Sequence, residues 1–261
     1  MNNLILEEDF QVSVHDCSPK GMRTYAILRH IQDIADRHGS LLGFSVKDMV
    51  SRGFYWVIVN VKLKLTEPMP FETPIRIKTW PAGNTNLLAT RAYEGYNLNT
   101  GRQVFAAATD FMLLNLKTRR PVNLHELDFT IPDAGLGCDA DKPERQRPLD
   151  HYEPMDSVNV RYSSIDVNGH VNNTEYVRWG MDALRSRSEY QRRANRIDVT
   201  FVSEAHENEC LNILYAPVDD HQVALIGRSC ADNRDVFLMR AAFDENDKWE
   251  RPHFLRNNLD K

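Results

Sequence analysis

The hydrophobic pattern changes period along the chain. From Thr24 to Leu42, apolar residues fall at Ile27, Leu28, Ile31, Ile34, Ala35, Leu41 and Leu42, the spacing of an amphipathic helix. Alternation then takes over. In FYWVIVNVKLKL (Phe54–Leu65) every second residue from Val57 to Leu65 is apolar, and TPIRIKTW, LLATRAYEGYNL and RQVFAAATDFMLLNL follow as further strands. Between the last two, Asn99-Thr100-Gly101 is a hairpin signal. With one strand before the helix, this half reads as a helix and an antiparallel sheet.

After Pro121 the periodicity dissolves into a Pro-, Asp- and Gly-rich stretch that reads as a connection. The first pattern then returns. VNVRYSS reads as a strand, TEYVRWGMDALRS as a helix with Tyr176, Val177, Met181 and Leu184 on one side, and RIDVTFVSEA, CLNILYAPV, HQVALIG and DVFLMRAAF as strands. The repeat survives a residue-by-residue test. Val61, Leu63 and Leu65 align without gaps on Ile197, Val199 and Phe201, and in the same register Ile75, Ile77 and Pro81 fall on Leu211, Ile213 and Pro217. The chain therefore reads as two copies of an α+β unit, a long helix on a curled antiparallel sheet. The boundaries are 1–120, a linker over 121–155, and 156–261. Two such sheets can hide exposed edges by pairing side by side.

The copies differ in their chemistry. Before its helix the first has DCSPKGMRTY and the second DVNGHVNNTEY, so only the second carries Asp166, Asn168, His170, Asn172 and Asn173 together. Glu204 aligns with Pro68; Glu67 is one residue off, which in a strand points to the other face. The second copy is expected to bear the site and the first to build the pocket. Turn chemistry alone accounts for part of the Asn and Asp content, but less well for the His and the regular alternation.

The polar run ends at a helix N-terminus, with Asn172, Asn173 and Thr174 as candidate caps. Backbone N–H groups there favour negative charge, so Val171 and Asn172 are the expected donors to an oxyanion. Asp166 and Glu204 supply carboxylates, and Asn168 and His170 can orient water or hold a carboxylate. Such a set suits acyl transfer to water. There is no GxSxG elbow, no phosphate-binding glycine loop and no HExxH. His206 is read as a surface or packing residue.

Composition narrows the class further. The 261 residues are 42% hydrophobic and 26% charged, with a net charge of −5, which argues against a general nucleic-acid binder. No apolar run approaches the ~20 residues that span a bilayer, and the N-terminus shows neither a signal nor a transit pattern. Cys17, Cys138, Cys210 and Cys230 are widely spaced and fit no zinc motif, so reduced thiols in a cytoplasmic protein are expected.

The run IDVNGHVNNTEYVRW resembles the acyl-acyl carrier protein thioesterases of plant plastids and bacteria, as do GFYWVIVNVKLKL, RIKTWPAG, ATDFMLLNLKTRRP and the region around Glu204. The resemblance covers nearly the whole chain. It implies a tandem double hotdog fold and hydrolysis of the thioester between a fatty acyl chain and the phosphopantetheine arm of acyl carrier protein, with no metal or other cofactor. It assigns catalysis to Asp166, Asn168, His170 and Glu204. Plant members carry a Cys directly after the glutamate, where this chain has Ala205; carboxylate chemistry is therefore favoured, with Asp166 attacking the carbonyl or activating water.

An acyl-coenzyme A thioesterase of the same fold and a non-catalytic acyl-binding module are the alternatives. A homodimer is compatible with the pattern. Six arginines between Arg178 and Arg196 stand out in an acidic protein, and Arg192 and Arg193 are the expected docking residues for an acidic carrier protein.

Overall fold

The computed structural model describes residues 4–244, so the boundary expected at 261 lies outside the described residues. Strand β1 (Leu6–Gln11) leads through a small hairpin, β2 (Cys17–Ser18) and β3 (Gly21–Met22), into helix α1 (Thr24–Leu41). A short helix α2 (Val46–Ser51) follows, then β4 (Phe54–Leu65), β5 (Pro74–Asn84), β6 (Leu88–Asn97) and β7 (Gln103–Asn115). The second half runs β8 (Glu153–Asn159), α3 (Asn173–Arg185), β9 (Ala194–Phe201), β10 (Cys210–Pro217), β11 (Gln222–Ser229) and β12 (Asp235–Phe243).

Ten strands form one antiparallel sheet in the order β1-β5-β6-β7-β4-β9-β12-β11-β10-β8. Reading outward from the β4–β9 junction, each strand meets its repeat partner at the same rank. At the junction Lys62 lies opposite Asp198, Val61 opposite Val199 and Leu63 opposite Ile197. Lys62 and Asp198 are also equivalent in the sequence repeat, so the local two-fold passes between them. The pairing removes one edge from each half-sheet.

Both long helices bury one face against this sheet. Ala26, Ile27, Leu28, Ile31 and Ile34 of α1 and Tyr176, Val177, Met181 and Leu184 of α3 join one core with Leu63, Ile75, Ile197 and Leu211. Leu41, expected on that face, is exposed at the end of α1. The helices are tied together by Glu175, buried in the first turn of α3. It accepts hydrogen bonds from Arg29 Nη2 at 2.9 Å, Arg178 Nε at 2.9 Å and Ser164 Oγ at 3.1 Å.

Two details depart from the sequence pattern. The strand expected over 158–164 ends at Asn159; Val160 is buried, and Tyr162–Ser164 make a 3₁₀ turn. The connecting segment is packed rather than loose. Cys138 and Ala140 sit on Ala106 and Ala108 of β7, Lys64 Nζ donates to the Asp139 carbonyl at 3.1 Å, and the Gln146 N–H donates to Thr200 Oγ1 at 2.8 Å. Phe105 and Ala107 face the helix-side core and Ala106 and Ala108 face this segment, which is why β7 is buried on both faces.

Reduced thiols hold only for Cys17 and Cys138; Cys210 and Cys230 form a disulfide, with Cα atoms 5.4 Å apart. Sequence spacing concealed this pair. At the open end of the β10–β11 hairpin the Cys230 N–H donates to the Cys210 carbonyl at 2.9 Å, which sets the two residues side by side. No described helix is long and apolar enough to cross a membrane.

Candidate active site

The loop before α3 is folded on itself. The Asp166 N–H donates to the His170 carbonyl at 2.8 Å, and the Asp166 carbonyl accepts from the Gly169 N–H at 3.0 Å. Gly169 takes φ +80°, a conformation that an L side chain would strain. The Asp166 carboxylate accepts from the Asn168 backbone N–H at 2.8 Å and faces Asn168 Nδ2 at 3.4 Å. Local turn chemistry thus fixes the carboxylate.

Glu204 arrives from beyond the end of β9. Its carbonyl accepts from Arg234 Nη1 at 2.8 Å, and the next residue, Ala205, donates its N–H to the Tyr176 hydroxyl at 3.1 Å. Burial pushes the Tyr176 hydroxyl well above the ordinary tyrosine pKa, so it stays protonated. Glu204 Oε2 lies 3.4 Å from His170 Nε2 and 2.9 Å from Arg119 Nη2. The four expected catalytic residues, Asp166, Asn168, His170 and Glu204, therefore line one site.

That site opens on a cavity of about 1280 Å³, above the ~300–1,000 Å³ usual for small-molecule sites. The second half supplies its polar wall, including Asp166, Asn168, His170, Asn173 and Glu204. The first half supplies most of the rest, with Leu28 and Ile31 of α1, Trp56 and Ile58 of β4 and Phe111 of β7. Deeper in that half lies Arg91. It bonds His38 Nδ1 at 2.9 Å, and burial lowers its pKa.

The geometry corrects the expected oxyanion donors. Val171 and Asn172 are not free oxyanion donors, because their N–H groups bond the Ala205 carbonyl at 3.1 Å and the Ser164 carbonyl at 2.9 Å. Asn172 caps α3 instead, its side chain accepting from the Thr174 N–H at 2.9 Å. Asn173, first in the helix and on the cavity wall, has its N–H in none of these bonds. Arg192 and Arg193, expected to dock the carrier protein, stand apart from the catalytic loop. They precede β9 and Glu204 follows it, so eight strand residues, roughly 26 Å, separate them. Arg192 Nη2 donates to the Asp220 carbonyl at 3.0 Å, and Arg193 pairs with Asp244.

Arg119 was missed by the sequence reading. It sits at φ +56° in the turn after β7, in the half without the polar loop. Its one signal was the KTRRP run, after which the strand pattern dissolves.

Two fused helix-and-sheet units, with a polar loop at the N-terminus of the second helix, define the tandem hotdog class. Residues 3–129 match the acyl-ACP thioesterase N-terminal domain model and residues 149–246 the C-terminal domain model. The chain belongs to the acyl-ACP thioesterase family.

Among curated relatives, the chloroplastic palmitoyl-acyl carrier protein thioesterase of Cuphea hookeriana is 21% identical over 198 residues, covering 70% of this chain and 47% of its own length. The oleoyl-acyl carrier protein thioesterase of Coriandrum sativum is 18% identical over 98% of this chain and 73% of its own length. The chain spans about half the length of several curated relatives it matches. Among solved structures, an acyl-ACP thioesterase from Bacteroides thetaiotaomicron superposes with a TM-score of 0.80 at 20% identity, over 92% of this chain and 98% of that one. The 12:0-ACP thioesterase from Umbellularia californica gives 0.79 at 18%, over 93% and 98%. At these identities the structural likeness carries the fold.

Proposed function

We propose that the protein hydrolyses the thioester of fatty acyl-acyl carrier protein, releasing a free fatty acid and the phosphopantetheine thiol. The observation that carries this reading is the division of the cavity. One wall holds Asp166, Asn168, His170 and Glu204, and the other half of the molecule supplies most of the apolar lining of a space large enough for an acyl chain. Family membership supports the same chemistry.

Asp166 is the reacting carboxylate in this proposal. Attack on the thioester carbonyl forms a mixed anhydride and expels the thiolate, and water then cleaves the anhydride. Alternatively, Asp166 takes a proton from water as that water attacks. Glu204, beside the Arg119 cation, orients His170 at the reacting centre. The Asn173 N–H at the N-terminus of α3 receives the oxyanion.

The test is a hydrolysis profile across acyl lengths on acyl carrier protein and on coenzyme A. Greater kcat/KM on the carrier protein is expected. Preference for coenzyme A would assign the alternative substrate class, and binding without turnover would contradict hydrolysis. Single turnover in H₂¹⁸O tests for the anhydride, since label enters Asp166 only when water attacks the Asp166 carbonyl of that intermediate; trapping the acyl-enzyme with hydroxylamine detects it when water attacks the acyl carbonyl instead.

A further inference from the structure

His206 stands outside the groups given a role above. Its ring meets that of His170 edge to face, with centroids 5.1 Å apart. With Glu204, these residues bring two imidazole nitrogens and a carboxylate oxygen within 4.8 Å of one another. Two histidines and a glutamate are a donor set that zinc takes, with bonds of about 2.0–2.2 Å; donors on a tetrahedron of that size stand about 3.4 Å apart. His170 Nε2 and Glu204 Oε2 already stand 3.4 Å apart. His206 is exposed, so its imidazole can close the remaining gap by side-chain rotation.

We propose that His170, Glu204 and His206 form a binding site for a zinc ion, and that the bound ion blocks thioester hydrolysis. The blocking half rests on the activity proposed above. A zinc ion occupying His170 Nε2 and the Glu204 carboxylate removes both from the substrate. Arg119 opposes the metal, because its guanidinium holds the same Glu204 oxygen at 2.9 Å. That side chain is 63% exposed, so it can swing toward solvent and release the carboxylate. The two neighbours therefore act with opposite signs: His206 adds a ligand, and Arg119 competes for one.

Calorimetric titration of the untagged full chain with zinc chloride tests the site without requiring turnover. One zinc per chain is expected. His206→Ala should weaken binding by at least about tenfold, since even an outer-shell change typically costs 10–100-fold. Arg119→Gln should tighten it. In hydrolysis assays, zinc should inhibit the wild type reversibly on addition of EDTA. His206→Ala should keep the zinc-free rate and need at least about tenfold more zinc for the same inhibition. Equal zinc affinity in wild type and His206→Ala, or no stoichiometric binding, would overturn the site. Zinc bound through His206 with unchanged turnover would overturn the block. A chain that binds zinc in this way yet hydrolyses no thioester would uphold the site and refute the activity.

Discussion

Asp166 shows how a residue can be both an ordinary turn former and the candidate reacting group. Its bond to the Asn168 N–H is turn chemistry, and its position on the cavity wall is what turn chemistry alone leaves unexplained. The cluster was legible because it occurs in one copy of a repeat and not in the other. The state of the nearby N–H groups was not legible. Whether Val171 is free depends on the Ala205 carbonyl, which the fold alone brings to it. Arg119 was hidden for the same reason, being in the other half of the chain. Glu204 and the thiol near it should respond in opposite ways to substitution. Glu204→Gln should lose about 10²–10⁴-fold in kcat, because His170 without its orienting carboxylate forfeits the span of a positioned acid–base group. Cys210→Ser, whose sulfur is joined to Cys230, should keep its turnover. Steady-state rates on one acyl carrier protein substrate decide this, and an active Glu204→Gln with a dead Cys210→Ser would mean thiol chemistry.

The elements were largely written in the apolar spacing. β4 spans the full FYWVIVNVKLKL run, and the hairpin at Asn99–Gly101 joins β6 to β7, with Gly101 at φ +70°. Helix α2 was missed although its start is encoded: Ser45 and Asp48 form a capping box, with the Asp48 N–H on Ser45 Oγ at 3.1 Å. Six residues give too little periodicity to reveal a helix. Also hidden was a packing device used once in each half. Gly95 pairs with Phe105 across β6–β7, and Gly227 with Phe237 across β11–β12. Each aromatic ring lies over its glycine, so an added Cβ at Gly227 would meet Phe237 at 2.2 Å. Phe237 is fully buried and has no room to move aside. Gly227→Ala should therefore cost about 1–3 kcal/mol by overpacking. Gly137→Ala, where a Cβ meets nothing within 4 Å, should leave stability nearly unchanged. Urea unfolding midpoints check the pair; equal midpoints would refute the packing argument.

At the scale of the whole molecule the two halves are one sheet, which the repeat suggested and the β4–β9 pairing completes. A buried polar chain crosses that junction. Thr90 Oγ1 donates to Asp110 at 2.8 Å, Asn60 Nδ2 donates to Asp110 at 3.2 Å, and Thr200 Oγ1 donates to Asn60 at 2.8 Å. Burial pushes the Asp110 carboxyl above the ordinary aspartate value, against the pull of the Thr90 and Asn60 hydrogen bonds. Between the ordinary and the raised value, the folded state holds more protons than the unfolded state. Asp110 then contributes stability at low pH that is lost as pH rises through its folded pKa. Asp110→Asn should remove that segment, so the wild-type-minus-variant difference in unfolding free energy should fall with rising pH above the ordinary aspartate range. A difference that is flat or rises would contradict the assignment. Charge was the least legible property at this scale, since just before β9 Arg193 pairs with the Asp244 carboxylate and Arg192 donates to the Asp220 backbone carbonyl. The central claim is that Asp166, held over an apolar cavity from the other half, cleaves an acyl thioester. It is tested most directly by thiol release from fatty acyl-acyl carrier protein by the wild type and a folded Asp166→Asn variant. Steady release by the wild type and a loss of about 10²–10⁴-fold in the variant are expected; near-equal rates, or no release by the wild type, would rule out Asp166 as the reacting carboxylate of a thioesterase.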